Sequence, residues 1–258
     1  MTTLRFNEAA ARRLERLYST PDVRGQRDEA LRHLALSAGE SVVDVGCGPG
    51  FLCESMAAMV GPNGRVLGVD VSDDLLEAAR RRNSSAQLAY AHADALALDI
   101  PEASADVVVS MQVLEYLPDV DRAIGEMHRI LKPGGRALVV ATDWDAVVWH
   151  SCDRARMARV MRAWEVHCTD PRLPRTLRPR LAGRFRVEKV VGYPIVNTRL
   201  GEDTYSDGIM RLLVEFVRRQ KSLAAEELDA WADDLQTLSE QGRYFFALTR
   251  FLFLASKA

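Results

Sequence analysis

Asp44, Gly46, Gly48, Gly50 and Asp70 are the residues of this chain whose types and spacing carry the most chemistry. The run Val43-Asp44-Val45-Gly46-Cys47-Gly48-Pro49-Gly50 joins an apolar segment to a helix start through a turn built almost wholly of glycine. Glycines there remove every Cβ where the chain must bend sharply, and they let a ligand approach the backbone. The segment Phe51–Val60 supplies a helix whose first unpaired N–H groups would face that ligand. Such a turn holds a cofactor. A second apolar run, 64–70, ends in Asp70, twenty residues after Gly50. A carboxylate at that place can accept both ribose hydroxyls of an adenosine. A capping aspartate would explain the residue without chemistry, but Ser72 already fits the N-cap of the next helix, Asp73–Arg82, which leaves Asp70 for the ligand.

A dinucleotide site requires glycines spaced G-x-G-x-x-G. Counting from Gly46 the third glycine would fall on Phe51, and counting from Gly48 on Cys53. A nicotinamide or flavin reading is therefore disfavoured. What stands instead, D-x-G-x-G-x-G from Asp44, resembles the first motif of the class I S-adenosylmethionine-dependent methyltransferases, and within them the ubiquinone/menaquinone-methyltransferase-like group (methyltransferase type 11). That resemblance spans the N-terminal two thirds of the chain. It implies S-adenosyl-L-methionine as cofactor, with its amino-acid part over Asp44, Gly46, Cys47, Gly48 and Gly50 and its ribose on Asp70. The segment His92-Ala93-Asp94-Ala95-Leu96 matches a pattern whose acid lies beside the adenine amino group in the family, which points to Asp94, with Val71 and Ala95 flanking the ring. Leu131-Lys132-Pro133-Gly134-Gly135 is typical of the family too, as architecture rather than site. Relatives of this type carry a Tyr before the core and an Arg on the helix after it, folded over the cofactor; Tyr18 and Arg27 match in type and rough spacing, and equally suit a surface aromatic and a solvated arginine.

The elements that must position these groups follow from periodicity. Ser41–Val45, 64–70, 87–91, 105–110 and the strand after the 133–135 turn read as short buried strands alternating with helices. That order predicts an α/β fold, a doubly wound, mostly parallel seven-stranded sheet with right-handed crossovers. Ligands of such sheets sit at the strands' carboxyl ends, where Met111, Gln112, Glu115 and Tyr116 leave the fourth strand. Beyond residue 142 the pattern changes. Segment 143–181 is helical and rich in tryptophan, 185–191 alternates like a strand, 207–221 and Ala225–Glu240 read as amphipathic helices, and 244–255 as a last apolar strand. The chain thus divides into 1–40, an N-terminal helical segment over the cofactor; 41–142, the binding core; and 143–258, the end of the sheet with a helical cap over the acceptor.

A sulfonium methyl is already activated, so the enzyme has mainly to place the acceptor in line and exclude water. No G-x-S-x-G elbow, H-E-x-x-H zinc pattern or Walker loop is present, and no metal is expected. If the acceptor must lose a proton, His150 and His167 are the candidate bases, although each alone is better explained as a hydrogen-bonded structural side chain. Asp143-Trp144-Asp145 with Trp149-His150 is the densest polar and aromatic group in the tail, and Asp143, Trp144 and Trp149 are expected, with Glu115 and Tyr116, to line the acceptor pocket. The Asn/Asp-Pro-Pro-Tyr/Phe motif of nucleic-acid amino-methylating enzymes is missing after the fourth strand, which favours a small-molecule acceptor: a natural product, a quinone-like ring or an amine. Two readings stay beside methyl transfer: an enzyme of the same fold that uses the cofactor without methylating, and a silent partner subunit, against which the intact motif residues weigh. An arsenite methyltransferase is conceivable because Cys47, Cys152 and Cys168 could hold a thiophilic metalloid, yet Cys47 sits inside the glycine motif, where many unrelated methyltransferases also have Cys.

The 258 residues carry 34 Lys and Arg against 36 Asp and Glu, a formal charge of −2, and 48% are apolar. That balance supports a sizeable core and argues against a nucleic-acid footprint. The arginines of 172–186, spaced by prolines, read as a solvated turn region. The four cysteines form no C-x-x-C pair and read as free thiols. No secretory signal or membrane-spanning run is evident, so the expected location is the cytoplasm; a homodimer is compatible with such a core.

Overall fold

A computed structural model describes residues 8–83 and 85–258. The start of the N-terminal segment, before residue 8, lies outside them. In chain order the elements are α1 (Glu8–Tyr18), α2 (Pro21–Leu34), β1 (Ser41–Val45), α3 (Phe51–Val60), β2 (Arg65–Asp70), α4 (Asp73–Arg82), β3 (Leu88–His92), β4 (Ala105–Met111), α5 (Val120–Ile130), β5 (Leu131–Thr142), β6 (Val148–Trp149), α6 (Arg154–Trp164), α7 (Pro174–Ala182), β7 (Arg186–Asn197), α8 (Tyr205–Gln220), α9 (Ala225–Glu240) and β8 (Phe246–Ser256).

The strands form one sheet in the order β3-β2-β1-β4-β5-β8, with β7 on the far side of β8. The first five are parallel, and β8 runs antiparallel between β5 and β7. The expected seven strands are all present. An eighth, the two-residue β6, prolongs the β5 side of β8 by pairing Val148 with Ala247 and Trp149 with Phe246.

Burial on both faces explains the unbroken apolar runs. Val107 and Val109 of β4 pack with α2 and α3 residues Leu31, Leu34, Leu52 and Met56, while Val108 faces Ile124, Met127 and Ile130 of α5 on the other side. A third cluster lies at the end of the sheet, where α6, α8 and α9 bury Trp164, Phe216, Trp231 and Leu235 together with Leu14 and Leu17 of α1 and Ile195, Phe246 and Leu248 of β7 and β8. This is the cap. Segment 143–181 does not belong to it entirely, because Leu173, Leu177 and Leu181 along α7 pack on the α5 face of the sheet beside Phe185 and Phe253. The arginine-rich stretch is correspondingly a helix rather than a turn, and Arg172, Arg175 and Arg180 pair with Asp145, Asp143 and Asp121.

No described helix is long and apolar enough to cross a membrane.

Candidate active site

The carboxyl ends of β1, β2 and β4 open into one cavity of about 710 Å³, roofed by α1, α6 and α8. Its volume lies in the range of about 300–1,000 Å³ usual for small-molecule sites. Asp44, Gly46, Cys47, Gly48, Asp70, Val71, Asp94, Ala95, Met111, Gln112, Tyr18 and Arg27 all line it. Residues far apart in the chain therefore converge on one wall.

The turn is held by its glycines. Gly46, Gly48 and Gly50 all take positive φ, at 77°, 53° and 78°, a region that costs other residues about 1–2 kcal/mol. At Gly50 a Cβ would also strike the Tyr90 hydroxyl and come within 2.9 Å of Ala79 Cβ. At Gly48 it would meet only Tyr18 Cε2 at 4.0 Å, so that side of the backbone is open to the cavity.

Asp70 is tied to the loop. Gly48 N–H donates to Oδ2 and Ser72 N–H to Oδ1, both at 2.9 Å. The expectation that Ser72 caps α4 through its hydroxyl holds, at 3.4 Å from Leu75 N, yet the carboxylate is not wholly free. An ionised carboxylate offers about four acceptor sites, so each oxygen keeps room for a hydroxyl donor. Burial raises the Asp70 pKa, opposed by the N–H groups of Ser72, Gly48 and Val71. Asp94 is exposed, and its Oδ1 accepts from Leu96 N at 2.9 Å. Asp44 lies buried below the loop with the Cys53 thiol donating at 3.2 Å. Arg27 donates to the Tyr18 carbonyl at 2.7 Å and stands 5.1 Å from the centre of the Phe51 ring, while Tyr18 meets the same ring edge-on.

At its other end the cavity is apolar and aromatic, lined by Tyr116, Trp144, Trp164, Tyr205, Ile209 and Leu212, with Arg250 among them. Several expected acceptor residues are elsewhere. Asp143 is turned away into an ion pair with Arg175, at 2.7 Å, and caps Asp145 N. Trp149 sits in the cap core against Trp231 and Phe246, its indole N–H on Tyr244 at 3.0 Å. Alternation along β6 then puts His150 on the surface, with only its backbone N–H engaged, to Phe245. His150 is outside the cavity, and its candidacy as base lapses. His167 is fully buried behind the wall, stacked on Trp164 at 3.8 Å, with Nδ1 2.7 Å from the Trp164 carbonyl. Glu115 lies behind Tyr116, not on the lining; Thr142 N approaches its Oε1 at 3.4 Å and its Oε2 has no partner.

The thiols are not gathered. Cys47 and Cys53 neighbour one another under the loop, Cys168 is buried near Glu115, and Cys152 is exposed beside Asp234. Among the described residues no group of three or more His, Cys, Asp or Glu is placed to hold a metal ion. The set that an arsenite site would need is not assembled.

Sequence reasoning passed over Arg250, Tyr205 and Gln26. Arg250 is the one charge inside the apolar run of β8, and that interruption was its signal.

Residues 43–139 match the family described as a methyltransferase domain. Within those residues the chain carries a methyltransferase domain similar to that of class I S-adenosylmethionine-dependent methyltransferases. Among relatives of this chain, an uncharacterised 37.1 kDa protein in transposon TN4556 of Streptomyces fradiae is 34% identical over 158 residues, 61% of this chain and 45% of that protein. A demethylmenaquinone methyltransferase of Oceanobacillus iheyensis is 31% identical over 125 residues, 47% of this chain and 52% of the relative. The chain spans about half the length of these relatives. A phosphoethanolamine N-methyltransferase 2 of Haemonchus contortus, solved with S-adenosyl-L-methionine, shares the fold with a TM-score of 0.63 at 18% identity, over 97% of this chain and 57% of that one.

Two predictions arise from the geometry of this site. Gly48→Ala and Gly50→Ala carry similar backbone strain, but only the Cβ at 50 meets a packed interior. Gly50→Ala should therefore lower the thermal midpoint most, while Gly48→Ala should mainly weaken S-adenosylhomocysteine binding. Calorimetry and thermal melts on both variants would show the order.

The second concerns pH. Burial pushes Asp44 and Glu115 up to about 7 and holds His167 down to about 4. Each carboxyl keeps in the folded state a proton that the unfolded chain releases near its ordinary pKa, 3.8 or 4.5. Its contribution is full below that value and lost as pH rises through about 7. His167 acts oppositely, its contribution being present above 6.5 and lost as pH falls toward about 4. Glu115→Gln should thus flatten the decline of stability between about pH 4 and 7, measured as thermal midpoint against pH. An unaltered slope would place the Glu115 carboxyl in water.

Proposed function

We propose that this protein transfers the methyl group of S-adenosylmethionine to a small, partly apolar acceptor. The observation that carries the reading is a single cavity with two differently built ends, a glycine loop with carboxylates and an aromatic wall. Bound there, the cofactor supplies an activated sulfonium methyl. The open backbone face at Gly48 suits its amino-acid part, the spare acceptor sites of Asp70 suit ribose hydroxyls, and Asp94 between Val71 and Ala95 suits an adenine amino group. Tyr18 and Arg27 would close over it.

At the acceptor end the side chains position and dehydrate. Tyr116, Trp144, Trp164 and Tyr205 offer flat surfaces to a ring, and Ile209 and Leu212 exclude water. Tyr18 and Tyr116 are poor bases, since burial raises Tyr18 to about 12 and Tyr116 well above its ordinary value. His167 stays neutral but turned onto a backbone carbonyl. Positioning then carries the rate, and the acceptor arrives already able to give its electron pair. The aromatic wall and the demethylmenaquinone methyltransferase relative favour a quinone-like or phenolic ring among acceptors.

Incubating the protein with S-adenosylmethionine and a panel of phenolic, quinone-like and amine acceptors, and following S-adenosylhomocysteine release, tests the proposal. Release that depends on an acceptor supports it. Conversion of an acceptor without S-adenosylhomocysteine would assign a non-methylating reaction, and binding of NADH in place of S-adenosylhomocysteine would overturn the cofactor.

A further inference from the structure

Arg250 is a charged residue placed where proteins rarely leave one unpaired. It is 4% exposed, lines the cavity, and pairs in register with Thr142 across β5 and β8. One of its Nη groups donates to the Gln26 carboxamide, itself fully buried, and the guanidinium lies 4.8 Å from the centre of the Tyr205 ring. Its Nε is buried with no hydrogen-bond partner, and among the described residues no carboxylate forms an ion pair with it. The contrast is with Arg136 on the neighbouring β5, which Glu40 clasps at 2.7 and 2.8 Å. Burying a guanidinium against an amide and a ring costs solvation that a matching anion would recover. Glu115 is close enough to be felt, but it forms no ion pair with Arg250 among the described residues; Thr142 N approaches its Oε1 at 3.4 Å and its Oε2 has no partner.

We propose that the acceptor carries a carboxylate, received by the Arg250 guanidinium at the aromatic end of the cavity. The idea rests on the methyl-transfer reading of the same site. A planar carboxylate matches the guanidinium fork with two parallel hydrogen bonds, and the ring bearing it would lie along Tyr205, Trp164 and Ile209. Arg250 is then a substrate-orienting residue: anchoring one end of a flat acceptor fixes which atom meets the methyl.

The test titrates the full chain, saturated with S-adenosylhomocysteine, with 2-naphthoate and with the neutral isostere 2-naphthamide. The wild type should bind the acid at least about tenfold tighter. Arg250→Gln should make the two equal while keeping its affinity for S-adenosylhomocysteine. If that variant does not fold, Arg250→Lys decides, because a point charge without the fork should keep only part of the preference. Equal binding of acid and amide by the wild type, or no binding of the acid, would overturn the proposal. So would an Arg250→Gln protein that loses S-adenosylhomocysteine but still binds 5′-methylthioadenosine, since the anchor would then serve the cofactor's own carboxylate. A wild type that binds no S-adenosylhomocysteine overturns the methyl-transfer reading instead, whereas intact cofactor binding without acid preference overturns the acceptor class alone.

Discussion

Replacing Asp70 by alanine is expected to weaken S-adenosylhomocysteine binding by at least about tenfold in a protein that still folds. Two hydroxyl donors to an ionised carboxylate contribute about 1.5–3 kcal/mol each, and a loss of about 1.4 kcal/mol is already tenfold. The structure adds a second route to the same outcome. Asp70 holds Gly48 N–H and Ser72 N–H at 2.9 Å, so its removal also frees the loop that cradles the ligand. Asp70→Asn separates the two routes, because the amide keeps one acceptor oxygen for the loop while losing the charge. Alanine should be the worse of the pair. Calorimetric titration, with circular dichroism to verify folding, gives both numbers, and an unchanged affinity in Asp70→Ala would remove Asp70 from the ribose site.

The contrast between the two ends of the cavity also explains what could be read from the chain alone. β1, α3 and α4 stand at the bounds that local signals give, because a buried strand, a glycine turn and a Ser72 cap act within a few residues. The cap is different. Period tells that α7 has an apolar face but not which surface covers it, and α7 lies on the sheet instead of over the acceptor. Likewise Trp149 and His150 are adjacent, yet a two-residue strand sends one inward and the other out. Nothing in sequence spacing says which. Arg250 shows the opposite error: averaged over β8 its charge vanishes into an apolar run, although a lone charge in a buried strand is what a site leaves behind. The N-terminal pair fared better in placement than its loose match warranted, since Tyr18 and Arg27 are joined by a hydrogen bond from guanidinium to carbonyl across the α1–α2 turn.

Trp164→Ala should produce the largest loss of stability, about 3–5 kcal/mol, as expected for removing a fully buried tryptophan. Trp164 is 1% exposed at the end of α6. It stacks on His167 at 3.8 Å and meets Trp144 and Phe216 edge-on at 5.7 and 5.3 Å. Those rings come from the β5–β6 connection, the turn after α6 and helix α8, so one side chain joins three parts of the cap to the cavity wall. The glycine loop and Asp70 stand on β1, β2 and α3, whose packing lies in another cluster. Destabilisation should therefore be borne by the cap. Thermal unfolding should show the loss, hydrogen exchange should rise in α6 and α8 before it rises in β1 and β2, and S-adenosylhomocysteine affinity at low temperature should stay near wild type. If affinity falls in step with stability, the cap and the sheet form one cooperative unit, and the acceptor wall could not be altered without disturbing the cofactor. If it does not, the aromatic end is free to vary on a fixed cofactor platform, and specificity resides in α6, α8 and Arg250.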